Sequence, residues 1–428
     1  MREQLPFSLD DARRWSETYP TPYYVYDAQG IRDCVTELKK AFSWNPGYRE
    51  YFAVKATPTP GILRLLQELG CGADCASVPE LLLAETAGMS GHRIILSSNE
   101  TLPVEYKAAA KLGAIINLDD ITQIELMEEA CGIPETVCCR YNPGQFSNTN
   151  GIMGHQYDSK FGMKPDQLLE AYSILRQKGV KHFGLHAMLA SCSLDENYYP
   201  SLARELFTLV LRIHNVLGID IEFVDFSGGI GIPYRPEEKA VSMPAIGAAV
   251  HKVYDEILTS HGLKVDIFTE MGRYITGPYG YLVTKVVGEK HIYKEYIGVD
   301  ATACNLMRPA MYEAYHHIRV LGKENMPNEI TVDVVGSLCE NNDKFAVNRG
   351  LPKVERGDLL VIEDAGAHGH SMGYNYNGKL KSAELLMEPD KSVTCIRRAQ
   401  TAMDYFGTLD ADPAFTGAIA KSCLDGMF

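Results

Sequence analysis

No uninterrupted apolar run in this chain is long enough to cross a bilayer, so no membrane partner is expected. The opening residues Met1–Phe7 lack the apolar core of a secretory leader, which points to the cytoplasm. Positive charge is in the minority. Against 55 Asp and Glu stand 41 Lys and Arg, a net charge of −14, which argues against nucleic acid or an anionic surface as partner. None of the 11 cysteines forms a CxxC, and Cys71/Cys75 and Cys138/Cys139 have no second pair at zinc-site spacing. They read as reduced thiols, mostly buried as small hydrophobes. His316–His317 and His368/His370 lack a matching set of acidic or thiol ligands, so no metal is expected. Long repeats, low-complexity tracts and charge runs are missing too. What remains, 46% hydrophobic and 22% charged over 428 residues, is an ordinary globular composition with room for two domains.

What the chain does contain is a lysine in an unusual setting. Lys55 ends the run Glu50-Tyr51-Phe52-Ala53-Val54-Lys55-Ala56, which reads as a short buried strand. Lysine is rarely buried unless paired or reacted. A desolvated amine loses its charge, becomes nucleophilic and can hold an aldehyde cofactor as a Schiff base. Taken alone, a surface lysine at a strand end is the better explanation of the run; the residues that follow reverse that balance.

From Glu50 to Glu270 one pattern recurs: a short apolar strand, a polar turn, then an amphipathic helix. The expected strands are Glu50–Val54, Gly72–Cys75, Arg93–Leu96, Ala114–Asn117, Thr136–Tyr141, His182–His186, Glu222–Phe226 and Val265–Thr269. Between them lie helical stretches such as Pro103–Lys111, Pro165–Gln177 and Ser201–Val216. Strands alternating with helices in this number suggest a (β/α)8 barrel, with a doubly wound open sheet as the alternative. From about residue 280 onward the texture changes to Val, Ile, Tyr, Gly and Pro, as in Gly280–Val287, Glu329–Val335 and Asp358–Glu363. That region predicts a mostly antiparallel β domain, which the strand Thr21–Asp27 joins. Arg397–Tyr405 reads as a closing helix. The expected organisation is a barrel over 32–280 and a β domain made of 1–31 plus 281–428.

In a (β/α)8 barrel the active site forms at the carboxyl ends of the strands. The residues at or just past the expected ends are Lys55, Asp74, Asn99, Arg140, His186, Ser227 with Gly228 and Gly229, and Glu270. Ser227-Gly228-Gly229-Ile230-Gly231 lets the backbone approach an anion and suits a phosphate, although such a turn is more often a plain turn. A carboxylate at Glu270 can keep a pyridine nitrogen protonated, and Arg273 can pair with a phosphate or a substrate carboxylate. An ordinary Glu270–Arg273 ion pair is the plainer reading.

These residues resemble the fold-type III pyridoxal phosphate (PLP) decarboxylases, the alanine-racemase-like barrel group, and within it the diaminopimelate decarboxylases. The likeness runs from Tyr23 to Arg397 and rests on Tyr51–Ala56, Gly70–Leu81, Lys160-Phe161-Gly162, Gly184-Leu185-His186, Gly228–Tyr234, Glu270–Tyr274, Arg308–Tyr312, Cys339–Asp343 and Asp364–Asn377. The resemblance implies that Lys55 carries PLP, that Glu270 meets the pyridine nitrogen, and that Gly228 and Gly229, with Ser191, hold the phosphate. Asp74, Arg140, His186, Arg273, His368 and Tyr376 complete the implied cofactor set. Arg273, Arg308 and Tyr312 would bind the far end of the substrate. Cys339, as general acid, and Glu340, for the distal ammonium, would reach into the site of the partner subunit of a homodimer. Read without the family, Cys339 is more simply a buried thiol.

The sequence departs from the family pattern in several places. Where the family has a second histidine two residues beyond His186, Met188 stands, a thioether that packs on a ring but neither titrates nor hydrogen-bonds. His368 replaces a tyrosine near the phosphate, Met271 replaces a proline after Glu270, and Lys379 and Lys381 stand where arginine is usual. The implied activity is decarboxylation of meso-2,6-diaminopimelate to L-lysine. The alternatives are a decarboxylase of ornithine, lysine, arginine or a carboxylated polyamine, and an inactive binding regulator of the same fold. Such a regulator would be expected to lose Lys55 or Cys339, and both are present.

Overall fold

The computed structural model describes residues 4–146 and 158–409. Ala28–Pro278 form one compact unit, and the described residues up to Asp27 and from Tyr279 onward form another. The divisions fall a few residues before the expected 31/32 and 280/281, because β1 (Tyr23–Asp27) ends at Asp27 and the helix Ala28–Ala41 already belongs to the barrel unit.

Eight parallel strands close the barrel in chain order. They are β2 (Arg49–Ala53), β3 (Gly72–Cys75), β4 (Ile94–Ser97), β5 (Ile115–Leu118), β6 (Thr136–Arg140), β7 (His182–His186), β8 (Ile221–Asp225) and β9 (Asp266–Thr269). Closure comes from β2 against β9, with Glu50 level with Thr269. An open doubly wound sheet is thereby excluded. Helix starts are marked by proline in the first or second position of Pro60–Glu68, Val78–Thr86, Pro103–Leu112, Pro165–Gln177 and Met243–Ile257, where its missing N–H costs nothing. The barrel interior is plugged at one level by Tyr51, Ile95, Ile115, Cys138, Phe223 and Phe268, with the last two rings stacked at 4.5 Å. Gly184 makes room for this plug, since a Cβ there would lie 2.1 Å from Phe223.

The second unit is a nine-stranded, mostly antiparallel sheet. With β1 it contains β10 (Gly280–His291), β11 (Glu295–Val299), β12 (Ile318–Val320), β13 (Ile330–Val335), β14 (Lys344–Leu351), β15 (Leu359–Ile362), β16 (Ala383–Met387) and β17 (Val393–Arg397). β1 lies between β10, antiparallel, and β16, parallel. Its core includes Phe7, Trp15, Tyr23, Val25, Tyr281, Val361 and Leu385, aromatic and branched side chains whose burial supplies about 2–3 kcal/mol each. The closing helix expected over Arg397–Tyr405 is corrected: Arg397 ends β17, and only Ala402–Phe406 is helical, capped by Thr401. No helix among the described residues is long and apolar enough to cross a membrane.

Candidate active site

Above the apolar plug, toward the carboxyl ends of the strands, the inward positions become polar. Lys55 sits in the single 3-10 turn that follows β2, and its Nζ lies 2.9 Å from Asp74 Oδ2 on the neighbouring β3. Its side chain is 47% exposed, whereas Asp74 is 1% exposed. The lysine is therefore open at one side and dense with protein on the others. Burial alone works against its charge, but Asp74 and then Glu270 outweigh burial and hold the ammonium above its usual range. This corrects the expectation of a desolvated free amine: without a ligand, Lys55 is half of an ion pair. Burial, then Glu270, pushes Asp74 upward, and the ammonium pulls it back.

Glu270, just past β9, is 4% exposed. Its Oε2 accepts the Ser227 hydroxyl at 2.5 Å and faces His186 Nε2 at 3.3 Å. Burial would raise this carboxyl, but His186, Lys55 and Ser227 together bring it down to about 2. Burial also drives His186 below its ordinary value, toward the neutral form. The two shifts pull against each other, because a neutral imidazole offers no countercharge. Geometry favours an ionised Glu270 beside a neutral His186: two donors meet Oε2, and Lys55 supplies the charge. Asp225, at the end of β8, is raised by burial and then by Glu270, while its Oδ1 accepts the Ser227 N–H at 2.8 Å. Ligand atoms of His186, Asp225 and Glu270 lie within 4.8 Å of one another. Ser227 bonds to both carboxylates, and Glu270 also meets His186, so the three side chains form one hydrogen-bonded cluster.

Glu270 Oε1, His186 Nδ1 and Asp74 Oδ1 are buried and lack hydrogen-bond partners among the described residues. Buried polar atoms are nearly always satisfied, so their clustering marks where a ligand supplies the missing groups. Oε1 suits a pyridinium N–H. Beside it the turn after β8 is stripped of side chains. Gly229 has φ +99°, and a Cβ there would lie 2.7 Å from the Tyr198 ring and 2.8 Å from the Ala190 carbonyl. Tyr198 accepts the N–H groups of Leu189 and Ala190, and the Ser193 N–H donates to the Gly229 carbonyl at 2.8 Å. The loop carrying Met188 and Ser191 is thus tied to the glycine turn. These features fit the ring and phosphate of PLP. Arg140, at the end of β6, is 3.3 Å from Asp119 and 4.4 Å above the Phe161 ring. Arg273 donates to the Tyr234 hydroxyl at 2.6 Å.

The other sequence-derived candidates lie in the sheet unit. Arg308 is 6% exposed and donates to His316 Nε2 at 2.9 Å, while His316 Nδ1 donates to the Glu363 carbonyl at 2.8 Å. Tyr312 and Tyr376 are exposed, and His368 is half-buried with a left-handed backbone. Cys339 is exposed, not the buried thiol expected without the family. Its N–H donates to Asn377 Oδ1 at 2.7 Å, and its turn is strapped by Asp343, which accepts from Leu338 and Ala303. Glu340 accepts the Asn342 N–H in the same turn.

Sequence reading alone did not yield Asp225, Asp119, Tyr198 or Asn377 as supporting groups. Asp119 and Asn377 meet Arg140 and Cys339 far along the chain, so no local signal carried them, whereas Asp225 lies inside an expected strand and Tyr198 just ahead of an expected helix, where neither stood out.

One consequence of the Lys55–Asp74 pair is measurable. Asp74→Asn removes the carboxylate that holds the ammonium, so the Lys55 pKa should fall, with about tenfold more free amine per unit at a fixed pH below it. Ligand-free Asp74→Asn protein should therefore capture PLP with a pH midpoint below that of the wild type. An unchanged or higher midpoint, read by absorbance in a pH series, would contradict the pairing.

Residues 29–277 match the family described as pyridoxal-dependent decarboxylase, pyridoxal binding domain. The chain is 38% identical to Protein TabA of Pseudomonas amygdali pv. tabaci, covering 96% of this chain and 97% of that one. It is 34% identical to diaminopimelate decarboxylase of Methanothermobacter thermautotrophicus, covering 92% of each. The crystal structure of diaminopimelate decarboxylase from Helicobacter pylori complexed with L-lysine superposes with a TM-score of 0.85 at 30% identity, covering 93% of this chain and 99% of that one.

Proposed function

This chain belongs to the pyridoxal-dependent decarboxylase family, and on that premise we propose that it removes the D-centre carboxylate of meso-diaminopimelate to give L-lysine. The observation that carries the reading is the convergence of Lys55, the buried Glu270 with its unpartnered Oε1, and the bare Gly228–Gly229 turn. Bound there, PLP supplies the electron sink that takes the bonding pair as carbon dioxide leaves. Lys55 would hold the cofactor through its aldehyde, and its Nζ, once free, would be placed to carry protons. Glu270, kept ionised by Ser227 and His186, holds a proton opposite its Oε1. In the barrel unit Gly228 and Gly229, with Ser191, would cradle the phosphate and Arg140 would add a cofactor contact; His368 and Tyr376 are the sheet unit's own candidates. Met188 would offer the ring an apolar thioether that cannot titrate.

Arg273 of the barrel unit, and separately Arg308 and Tyr312 of the sheet unit, are the candidates for the distal carboxylate of the substrate, and Glu340 is the candidate acceptor for its ammonium. Cys339 delivers the proton to the carbon that lost carboxylate. Exposure of Cys339 and Glu340 on a strapped turn supports a role toward a second subunit. Incubation with meso-diaminopimelate, LL-diaminopimelate, ornithine and lysine, followed by product analysis, tests the substrate. Turnover of ornithine or lysine alone would move the assignment to the amine-producing decarboxylases.

Mixing tests the shared site. Lys55→Ala and Cys339→Ala proteins should each be nearly inactive. Heterodimers should regain up to about half of the wild-type activity per active site, because one composite site then carries both native residues. Confirmed heterodimers without activity would place each site within one chain.

A further inference from the structure

A buried acid that the reaction does not use stands behind Glu270. Glu50 is the second residue of β2, 1% exposed, in a strand otherwise lined by Tyr51, Phe52 and Ala53. An isolated carboxylate in such a wall is costly, so its contacts need an explanation. Its Oε1 accepts the N–H of Met271 at 2.8 Å, and its Oε2 accepts the hydroxyl of Thr269 at 2.5 Å. These are the two chain neighbours of Glu270. The Glu270 N–H itself donates to the Ser227 carbonyl at 2.7 Å. Tyr48, stacked on Phe42 at 4.8 Å, reaches Thr269 Oγ1 at 2.7 Å. Since Thr269 donates to Glu50, Tyr48 donates to Thr269, giving a one-way chain of hydroxyls that ends on the carboxylate.

We propose that Glu50 is a positioning residue for Glu270: by clamping Thr269 and Met271 across the β2–β9 closure of the barrel, it aims the Glu270 carboxylate at the cofactor ring nitrogen. The inference rests on the reading of Glu270 given above. A carboxylate suits this place because it accepts on both oxygens. Glutamine accepts on one and presents an NH2 to a hydroxyl that already needs an acceptor. The same closure links β2, which leads to Lys55, with β9, which leads to Glu270. Glu50 thus fixes the spacing between the two residues that face the cofactor.

The test compares Glu50→Gln, Thr269→Val and Glu270→Gln holoenzymes, with thermal melting to confirm folding. Val keeps the shape of Thr269 while removing only one leg of the clamp, so it serves if Glu50→Gln folds poorly. For both clamp variants we expect kcat to fall about tenfold or more with KM for diaminopimelate within about twofold, because the substrate's far end is untouched. The pH midpoint of the cofactor's visible absorption should move in the same direction as in Glu270→Gln, by a smaller amount. Folded clamp variants with wild-type kcat and absorption, beside an impaired Glu270→Gln, would overturn the positioning role alone. An unimpaired Glu270→Gln would overturn the underlying reading of Glu270.

Discussion

Lys55→Ala should lower kcat by at least about a thousandfold, the largest effect expected of any single substitution in this chain. The lysine is the amine at the barrel mouth facing both the acid cluster and the glycine turn, and its Nζ is already held 2.9 Å from Asp74. Borohydride reduction of the wild-type holoenzyme, followed by mass spectrometry, should place a phosphopyridoxyl group on Lys55. In Lys55→Ala the adduct should be missing while the fold persists, since half of the Lys55 side chain is exposed and its removal leaves no core cavity. A stable adduct on a different lysine, or undiminished turnover by the alanine variant, would sink the assignment of Lys55.

The second large effect concerns choice of substrate. A site built to pair buried charge rejects an analogue that lacks it, because its own groups are then left unpaired. Diaminopimelate carries a carboxylate and an ammonium at its far end, whereas lysine and ornithine carry only the ammonium. With Arg308 nine-tenths buried and oriented by His316, preference for diaminopimelate over lysine should reach about a thousandfold in kcat/KM, roughly 4 kcal/mol. Arg308→Met should lose most of that ratio while still binding PLP, because methionine keeps the apolar stem and drops the fork of donors. Competitive kinetics with both amino acids measures it. Equal turnover by the wild type would remove diaminopimelate from the assignment and leave the decarboxylase reading standing.

The barrel was legible because its strands are short apolar runs with punctuated helix starts. Gly72–Cys75 and His182–His186 are predicted at the observed bounds, and the other strands are off by one residue at either end. The sheet unit was read less completely. β14 and β17 carry mixed, half-exposed side chains, as in Lys344–Leu351 and Val393–Arg397, and β16 is a short, mostly buried run, so no clear alternation announced them. At the site, strand-end position alone brought forward Lys55, Asp74, Arg140, His186 and Glu270. Their charge states were not legible, because the partners that set them stand on neighbouring strands and far away in sequence. Lys55 shows this most plainly: its run suggests a free amine, and Asp74 makes it an ion pair.

The position of β1 bears on how the chain is made. This strand precedes the whole barrel in the chain, yet its parallel partner β16 begins at Ala383, after it, and Tyr23 lies level with that residue. Until the barrel and every strand through β16 have been synthesised, the Tyr23–Asp27 strand cannot complete its pairing. The barrel residues between them contact mainly strands adjacent in the chain and can close earlier. The nascent chain therefore carries an aromatic-rich strand with no partner until β10 is made and with one open edge until β16 is, the kind of edge that invites association between chains. Loss of the segment from Ala383 onward would make that transient exposure permanent.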